Sequence, residues 1–234
     1  NLRKNFGGFI ALSNINLNVQ PGERLGLIGP NGSGKTTLIN CVSGSIQNYE
    51  GEVFFNGNNL NSLAAHKRAR RGIARSFQIP KPFASMTVRQ NLLIPLENAV
   101  ATKDLQGSSI EQHADQIIDD LELREKSNQL TSGLTQIEMR KLELARAMAV
   151  KPKLLISDEA MAGLSSSEVD DILKILINLN EQTKITIIMI EHIMRAVMSF
   201  SKRVVCLDAG KIIANGTPDE VIKTPAVERA YLGD

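Results

Sequence analysis

The sequence contains no tryptophan, only two cysteines, and no apolar run near the ~20 residues that a membrane-spanning helix needs. Cys41 and Cys206 both lie within apolar stretches, which favours buried thiols in a reducing compartment over a disulfide or a metal site. The first residues do not have the pattern of a signal peptide, so we expect none. We therefore expect a soluble, cytoplasmic protein that carries no membrane span of its own.

The sequence also has few clusters of positively charged residues. The formal net charge is +2, and the one basic cluster, residues 67–71, is typical of a solvated helix face. This pattern predicts no nucleic-acid partner. The 234 residues and a hydrophobic content of 42% instead suit one large globular domain, or a domain with an inserted subdomain.

The most informative stretch follows the apolar run 25–28 and precedes the apolar run 38–42; it consists of Gly29, Pro30, Asn31, Gly32, Ser33, Gly34, Lys35, Thr36 and Thr37. A glycine, four residues and then Gly-Lys-Thr is the spacing of a phosphate-binding loop. Its glycines let backbone N–H groups turn toward a polyphosphate at the start of a helix. Lys35 then reaches the β and γ phosphates, and Thr36 ligates Mg²⁺. The alternative, a glycine-rich turn with a chance lysine, does not account for the strand and helix on either side.

Two further apolar runs are followed by polar or charged residues. Residues 154–156 lead into Asp158 and Glu159, and residues 186–190 lead into Glu191 and His192. A carboxylate pair after one strand is, alone, an ordinary strand-end turn. Three such strand ends alternating with helices predict an α/β fold with a parallel sheet, whose carboxyl edge binds the ligand.

The rest of the sequence predicts both strands and helices. Alternating apolar residues predict a half-buried strand within 2–19, and aromatic burial favours a core position for Phe6. We expect a strand closed by an Asn-Gly turn at 51–57, a basic helix at 63–71, a strand at 73–78, and a helix from Thr87 to Leu96. Residues 99–132 are polar and mostly helical. An amphipathic helix starts near Thr135, a hairpin covers 203–214, and helices close the chain from 218 to 233.

Together these residues resemble the ATP-binding cassette (ABC) ATPases over essentially the whole chain. The resemblance rests on the loop 29–37 (Walker A), Gln78 (Q-loop), residues 154–159 (Walker B and base) and His192 (H-loop). It implies an α/β P-loop NTPase fold of RecA-like type, with a parallel-sheet core, an N-terminal antiparallel β subdomain and an inserted α-helical subdomain at about 85–150 of a single 1–234 domain. Further segments are similar to the branched-chain amino acid importer ATPases: 6–8, 75–78, 86–88, 161–164, 190–192 and 230–233.

The resemblance implies ATP and Mg²⁺ as cofactors and assigns roles to residues. Phe6 matches the aromatic that stacks on adenine, which reverses the expectation of a core position. Thr36, Gln78 and Asp158 order Mg²⁺. Lys35 neutralises phosphate charge, Glu159 is the general base, and His192 contacts the γ-phosphate.

One segment departs from the family. The signature Leu-Ser-Gly-Gly-Gln aligns with residues 134–138, where only Leu134 and the hydroxyl of Thr135 fit; the nearby Ser132-Gly133 is out of register. Gln136 and Ile137 replace glycines that allow close approach to the γ-phosphate of the opposite subunit, and Glu138 adds negative charge. Either a partner chain supplies an intact signature in a heterodimer, which we favour, or the variant works in a homodimer.

The expected function is ATP hydrolysis that powers uptake of branched-chain amino acids or a related small polar solute. The resemblance implies membrane-spanning permease subunits, a second ABC ATPase subunit, an indirect solute-binding protein, and a peripheral position on the cytoplasmic face of the membrane. Three alternatives remain: an ABC exporter ATPase, a soluble ABC ATPase of DNA repair or ribosomes, and a regulatory ATP-binding switch with little turnover.

Overall fold

The computed structural model describes residues 1–76, 81–99 and 109–232. The chain forms two compact units. The first comprises Asn1–Arg68 and the chain from Thr186 onward, and the second comprises Ala69–Ile185.

The first unit is built on four adjacent strands in the order β10-β9-β3-β8, in which β3 runs parallel to both β8 and β9. Every residue of β3 and β8 is buried, as expected for parallel strands covered on both faces. The expected hairpin is the antiparallel pair β9 and β10. The bounds are β3 (Arg24–Ile28), α1 (Lys35–Ser43), β8 (Thr186–Ile190), α7 (Met194–Phe200), β9 (Arg203–Asp208), β10 (Lys211–Gly216), α8 (Pro218–Ile222) and α9 (Pro225–Leu232).

The N-terminal segment forms two antiparallel strands, β1 (Leu2–Phe6) and β2 (Phe9–Ile15). The prediction of one strand within 2–19 was therefore wrong. Gly7 adopts a φ of 58°, which turns the chain back and pairs Phe6 with Phe9. The alternation continues beyond residue 15 in the sequence, but the strand ends there.

A second small hairpin pairs β4 (Phe54–Phe55) with β5 (Asn58–Asn59), as the Asn-Gly pair predicted. Asn56 and Gly57 both have positive φ, of 49° and 73°. Positive φ at both central residues is the requirement of the tight turn that matches strand twist.

The basic helix is present as α2 (Ala65–Arg70), but it is not a wholly solvated face. Arg68 is fully buried and donates to the carbonyls of Cys41 and Val42 at 2.6 and 2.9 Å. These carbonyls lie in the last turn of α1, where the helix leaves acceptors without intrahelical partners. The cation is buried because it satisfies them.

The second unit pairs β6 (Ile73–Ser76) in parallel with β7 (Leu154–Asp158). Three of its helices, α3, α4 and α5, pack against one another. The bounds are α3 (Val88–Ala99), α4 (Ile110–Asp120), 3-10 turns at Arg124–Lys126 and Thr131–Gly133, α5 (Gln136–Ala149) and α6 (Ser166–Thr183).

Helix α5 starts after Thr135 as expected, but its charged residues are not on a solvated face. Arg140, Lys141 and Glu143 are all buried. Each has a partner: Arg140 donates to the carbonyl of Ala162, Lys141 pairs with Glu122, and Glu143 pairs with Arg146. Paired charges are tolerated in the interior, which a periodicity argument does not anticipate.

Both cysteines are free and buried, as predicted. Burial raises the pKa of each thiol to about 11. Within the described ranges, no helix combines the length and apolar character needed to cross a membrane.

Candidate functional site

The glycine-rich loop joins β3 to α1, as its sequence predicted. Gly29 and Gly34 have φ values of 146° and 105°, a region that favours glycine. A Cβ on Gly29 would lie 2.1 Å from the carbonyl oxygen of Leu207, and one on Gly34 would lie 2.7 Å from that of Ala11. Neither position can carry a side chain, so the glycines fix the path of the loop.

The loop and the start of α1 contain several hydrogen-bond donors. Lys35 is buried, and its ammonium donates to the carbonyls of Gly29 and Pro30 at 2.6 and 3.0 Å. Gly34, the residue before α1, provides no side-chain cap, which leaves the first amides of the helix for a ligand. The Ser33 hydroxyl is buried without a hydrogen-bond partner among the described residues. An anion fits this combination of backbone donors, a lysine and an unsatisfied hydroxyl.

His192 and the loop follow neighbouring strands. Leu27 pairs with Ile190 in the parallel β3 and β8 pair, so both strands end at one edge of the sheet of the first unit. His192 is exposed two residues after β8, and Thr36 is exposed at the start of α1. Two of the predicted site segments thus lie at the edge where open parallel sheets bind ligands.

Phe6 is not a core residue. Its side chain is 50% exposed, which contradicts the preference drawn from aromatic burial alone. The Lys4 ammonium lies 4.6 Å from the ring centroid. Phe6 ends β1 at a turn, where an aromatic face stays accessible for stacking.

In the second unit, the two carboxylates lie at the end of β7, which extends two residues beyond the predicted 154–156. Asp158 is its last, buried residue and Glu159 comes next, with a φ of 49°. A left-handed conformation is strained for a glutamate, and such strain gathers at functional sites. Arg75, on the adjacent β6, donates to Asp158 with Nη2 2.5 Å from Oδ2.

The segment aligned with the family signature forms the start of α5. The Thr135 hydroxyl accepts from the amide of Glu138 at 3.4 Å, and the Glu138 carboxylate accepts from the amide of Thr135 at 2.8 Å. This is a capping box. Lys126 pairs with Glu138 at 3.3 Å. The hydrogen bond from the Thr135 amide and the pairing with Lys126 hold the pKa of Glu138 below its usual value. The extra charge is therefore ionised, but it is directed at groups of its own unit.

The side chain of Gln136, which replaces a signature glycine, contacts the turn after β7. Its side-chain amide donates to the carbonyl of Ala162 at 3.3 Å. The signature segment thus contacts Ala162, which lies three residues after Glu159 in the sequence.

Gln78 lies outside the described residues. For Mg²⁺, the described chain holds no group of three or more His, Cys, Asp or Glu side chains suited to a metal. Mg²⁺ commonly takes one or two protein ligands together with phosphate oxygens and water. The hydroxyl of Thr36 in the first unit and the carboxylate of Asp158 in the second unit are each a type of donor that Mg²⁺ accepts.

A family model described as "ABC transporter" matches residues 12–162, more than half of the chain. This chain belongs to the ABC transporter family. It is an ABC ATPase, and the resemblance that its motifs carried is confirmed.

Curated relatives span the full length of this ABC ATPase. It is 34% identical to the high-affinity branched-chain amino acid transport ATP-binding protein BraF of Pseudomonas aeruginosa, covering 100% of this chain and 96% of the relative. It is 35% identical to LivG of Escherichia coli, which has the same description, with the same coverage. It is also 35% identical to the lipopolysaccharide export system ATP-binding protein LptB of Haemophilus influenzae, covering 100% and 95%.

Solved structures confirm the predicted fold class. A nucleotide-free ATP-binding cassette from an ABC transporter matches with a TM-score of 0.87 at 31% identity, covering 100% of this chain and 99% of that one. A cassette described in its ADP conformation matches with a TM-score of 0.86 at 30% identity, covering 100% and 98%. This ABC ATPase therefore has the cassette fold and belongs to a group that binds nucleotide.

Two residues near these motifs had no role in the sequence prediction. Arg75 was noted only as part of a similar segment, and its ion pair with Asp158 depends on the register of β6 and β7. Tyr231, near the C-terminus, accepts a hydrogen bond from the amide of Gly29 at 2.8 Å. No local pattern links positions so far apart in sequence.

Proposed function

We propose that this ABC ATPase powers the uptake of branched-chain amino acids or a related small polar solute. The observation that carries the proposal is the similarity to BraF and LivG over 100% of this chain. The intact phosphate-binding loop supports turnover rather than a structural role.

The phosphate-binding loop performs the first step. The ammonium of Lys35, now on the carbonyls of Gly29 and Pro30, turns toward the β and γ phosphates when nucleotide binds. The loop amides and the start of α1 supply further donors to the phosphates. Gly32, Ser33 and Thr37 belong to this cradle, and Phe6 stacks on the adenine.

The chemistry needs positioning more than covalent participation, because phosphoryl transfer passes through a loose transition state. Glu159 orients the attacking water and accepts its proton, and His192 donates to the γ-phosphate. Thr36, Gln78 and Asp158 would hold Mg²⁺, which would supply positive charge to the phosphates.

Two of these ATPase subunits close around nucleotide, with Thr135 of one subunit directed at the γ-phosphate held by the other. The capping box of Thr135 and Glu138 already satisfies the start of α5, which supports a partner chain with an intact signature. The ATPase docks on membrane-spanning permease subunits at the cytoplasmic face of the membrane, and a solute-binding protein acts through those subunits. The helices within 85–150, inserted in a single 1–234 cassette, form the docking subdomain together with the Gln78 loop.

One observation favours a second function. The 35% identity to LptB over the full chain shows that an export ATPase shares this sequence to the same degree. The permease chains, rather than the ATPase, then decide the direction of transport.

The test is reconstitution of the ATPase with the membrane chains that co-purify with it from its own cell. ATP-driven accumulation of labelled leucine, isoleucine or valine in vesicles, with the matching solute-binding protein present, supports the proposal. Extrusion of lipid from the membrane supports the export function instead. A complex that hydrolyses ATP but moves neither class contradicts both.

A further inference from the structure

The side chain of Tyr231, in the C-terminal helix α9, contacts the phosphate-binding loop. The hydroxyl of Tyr231 accepts a hydrogen bond from the backbone N–H of Gly29 at 2.8 Å, between residues 202 positions apart in sequence. We propose that Tyr231 is a positioning residue for the phosphate-binding loop and acts through Gly29. The inference rests on the proposed role of that loop in nucleotide binding.

Helix α9 is held in register with the loop by the core beneath it. Val227 is buried in a cluster that also contains Ile28, the residue immediately before the loop. Val227 and Tyr231 are four residues apart, and residues at that spacing lie on one face of a helix. The same core therefore fixes the end of β3 and aims Tyr231 at Gly29.

Gly29 is fixed on both sides of its Cα. Its carbonyl accepts from Lys35 at 2.6 Å, while its N–H donates to Tyr231. The carbonyl of Leu207 closes the space that a side chain would need. Both peptide groups that flank the first glycine of the loop are thus set before nucleotide arrives.

This arrangement matters for affinity because Lys35 must leave the Gly29 carbonyl to reach phosphate. Once that bond is lost, the Tyr231 hydroxyl still anchors the Gly29 peptide group. Burial raises the pKa of Tyr231, so the hydroxyl stays neutral at physiological pH. A preformed loop binds polyphosphate without ordering its own backbone first.

Tyr231→Phe removes only the hydroxyl and leaves the buried Gly29 N–H without its partner. Tyr49 provides a matched control, because it is the other of the two tyrosines in the sequence. Its hydroxyl accepts from Arg68 at 3.2 Å and lies 3.3 Å from the Asn61 side-chain oxygen. Tyr49→Phe thus deletes a hydrogen-bonded hydroxyl that does not contact the loop.

The experiment measures amide exchange at Gly29 by NMR and the Kd for ADP by calorimetry, in the full chain and both variants. A typical hydrogen bond contributes roughly a fivefold change in an equilibrium constant. We expect Tyr231→Phe to speed exchange at Gly29 about fivefold or more and to weaken ADP binding to a similar degree. Tyr49→Phe should lower the melting temperature without changing either quantity.

Unchanged ADP affinity in Tyr231→Phe, with tight binding by the wild type, would overturn this inference and leave the proposed function standing. Equal loss of affinity in both tyrosine variants would also overturn it, because the effect would then follow general stability. If the wild type itself does not bind ADP, the proposed function fails, and this inference fails with it.

Discussion

The ion pair between Arg75 and Asp158 provides a specific test of the proposed Mg²⁺ site. The two side chains are 13% and 10% exposed, and they meet at 2.5 Å on adjacent strands. The carboxylate that we assign to Mg²⁺ is therefore already neutralised by a guanidinium. If nucleotide brings Mg²⁺ to the proposed site, the metal would take over part of that neutralisation.

The perturbation is Arg75→Met, which keeps an unbranched aliphatic stem and removes the charged guanidinium. Leaving one partner of a buried ion pair uncompensated costs about 3 kcal/mol in the free energy of unfolding. For a chain of this size, that loss corresponds to a melting temperature lower by roughly 6–12 °C. Because Mg²⁺ would compensate the carboxylate that the substitution leaves unpaired, we expect Mg²⁺-ADP to restore more of the melting temperature in the variant than it adds in the wild type.

The assay is thermal melting by circular dichroism, with ADP alone and with ADP and Mg²⁺. Arg203→Met is the matched control, because Arg203 pairs with Glu23 at 2.6 Å with side chains 25% and 11% exposed. It should lower the melting temperature without enlarging the Mg²⁺ effect. An equal Mg²⁺-dependent gain in the wild type and both variants would refute the reasoning.

Three further predictions concern other groups. Lys35→Ala should raise the Kd for ATP at least about 100-fold by calorimetry, since two charge-assisted phosphate contacts are lost, and near-normal affinity would exclude Lys35 from the site. Cys41 and Cys206 should resist iodoacetamide at pH 8 and react only in urea, because a pKa of about 11 leaves almost no thiolate; native-state labelling seen by mass spectrometry would contradict their burial. Glu138 has a lowered pKa in the folded state, so its charge stabilises the fold above its unfolded pKa near ~4.3 and that contribution is lost as pH falls through the folded value. The stability difference between wild type and Glu138→Gln, from urea unfolding, should therefore shrink on acidification, and a pH-independent difference would contradict this.

Much of the fold could be predicted because local rules and the final structure agree. The loop after β3 needs glycines for its positive φ values, and the spacing of those glycines is visible in the sequence. The start of α5 is visible in the same way, since Thr135 and Glu138 form the capping box that their spacing suggests. Both signals act within a few residues of one another.

Two positions were misjudged from residue type alone, one because its partners are distant in sequence and one because an adjacent turn exposes it. Arg68 looked like a surface cation but is buried on the carbonyls at the end of α1. Phe6 looked like a core residue, but the turn at Gly7 leaves it half exposed. Periodicity reports which residues share a face, and it does not report which buried acceptor a charged side chain will find.

The candidate site shows the same division. The motifs identified Lys35, Asp158, Glu159 and His192 by type and order along the chain. Arg75 and Tyr231 carry no such signal, because their contacts depend on strand register and on the docking of the C-terminal helix. Their proximity to the motifs is visible only in the three-dimensional structure.

The most direct test of the account compares MgATP hydrolysis by the wild type with that of Glu159→Gln, using Glu181→Gln, an exposed glutamate of the same unit, as the control. ATP affinity is measured in parallel by calorimetry. We predict that the wild type and Glu181→Gln turn over with any required partner chain present. Glu159→Gln should bind ATP normally but hydrolyse it at least about 100-fold more slowly, as expected on loss of a general base. Undiminished hydrolysis by Glu159→Gln, or a loss of ATP affinity as large as that of Lys35→Ala, would contradict the assignment of the site.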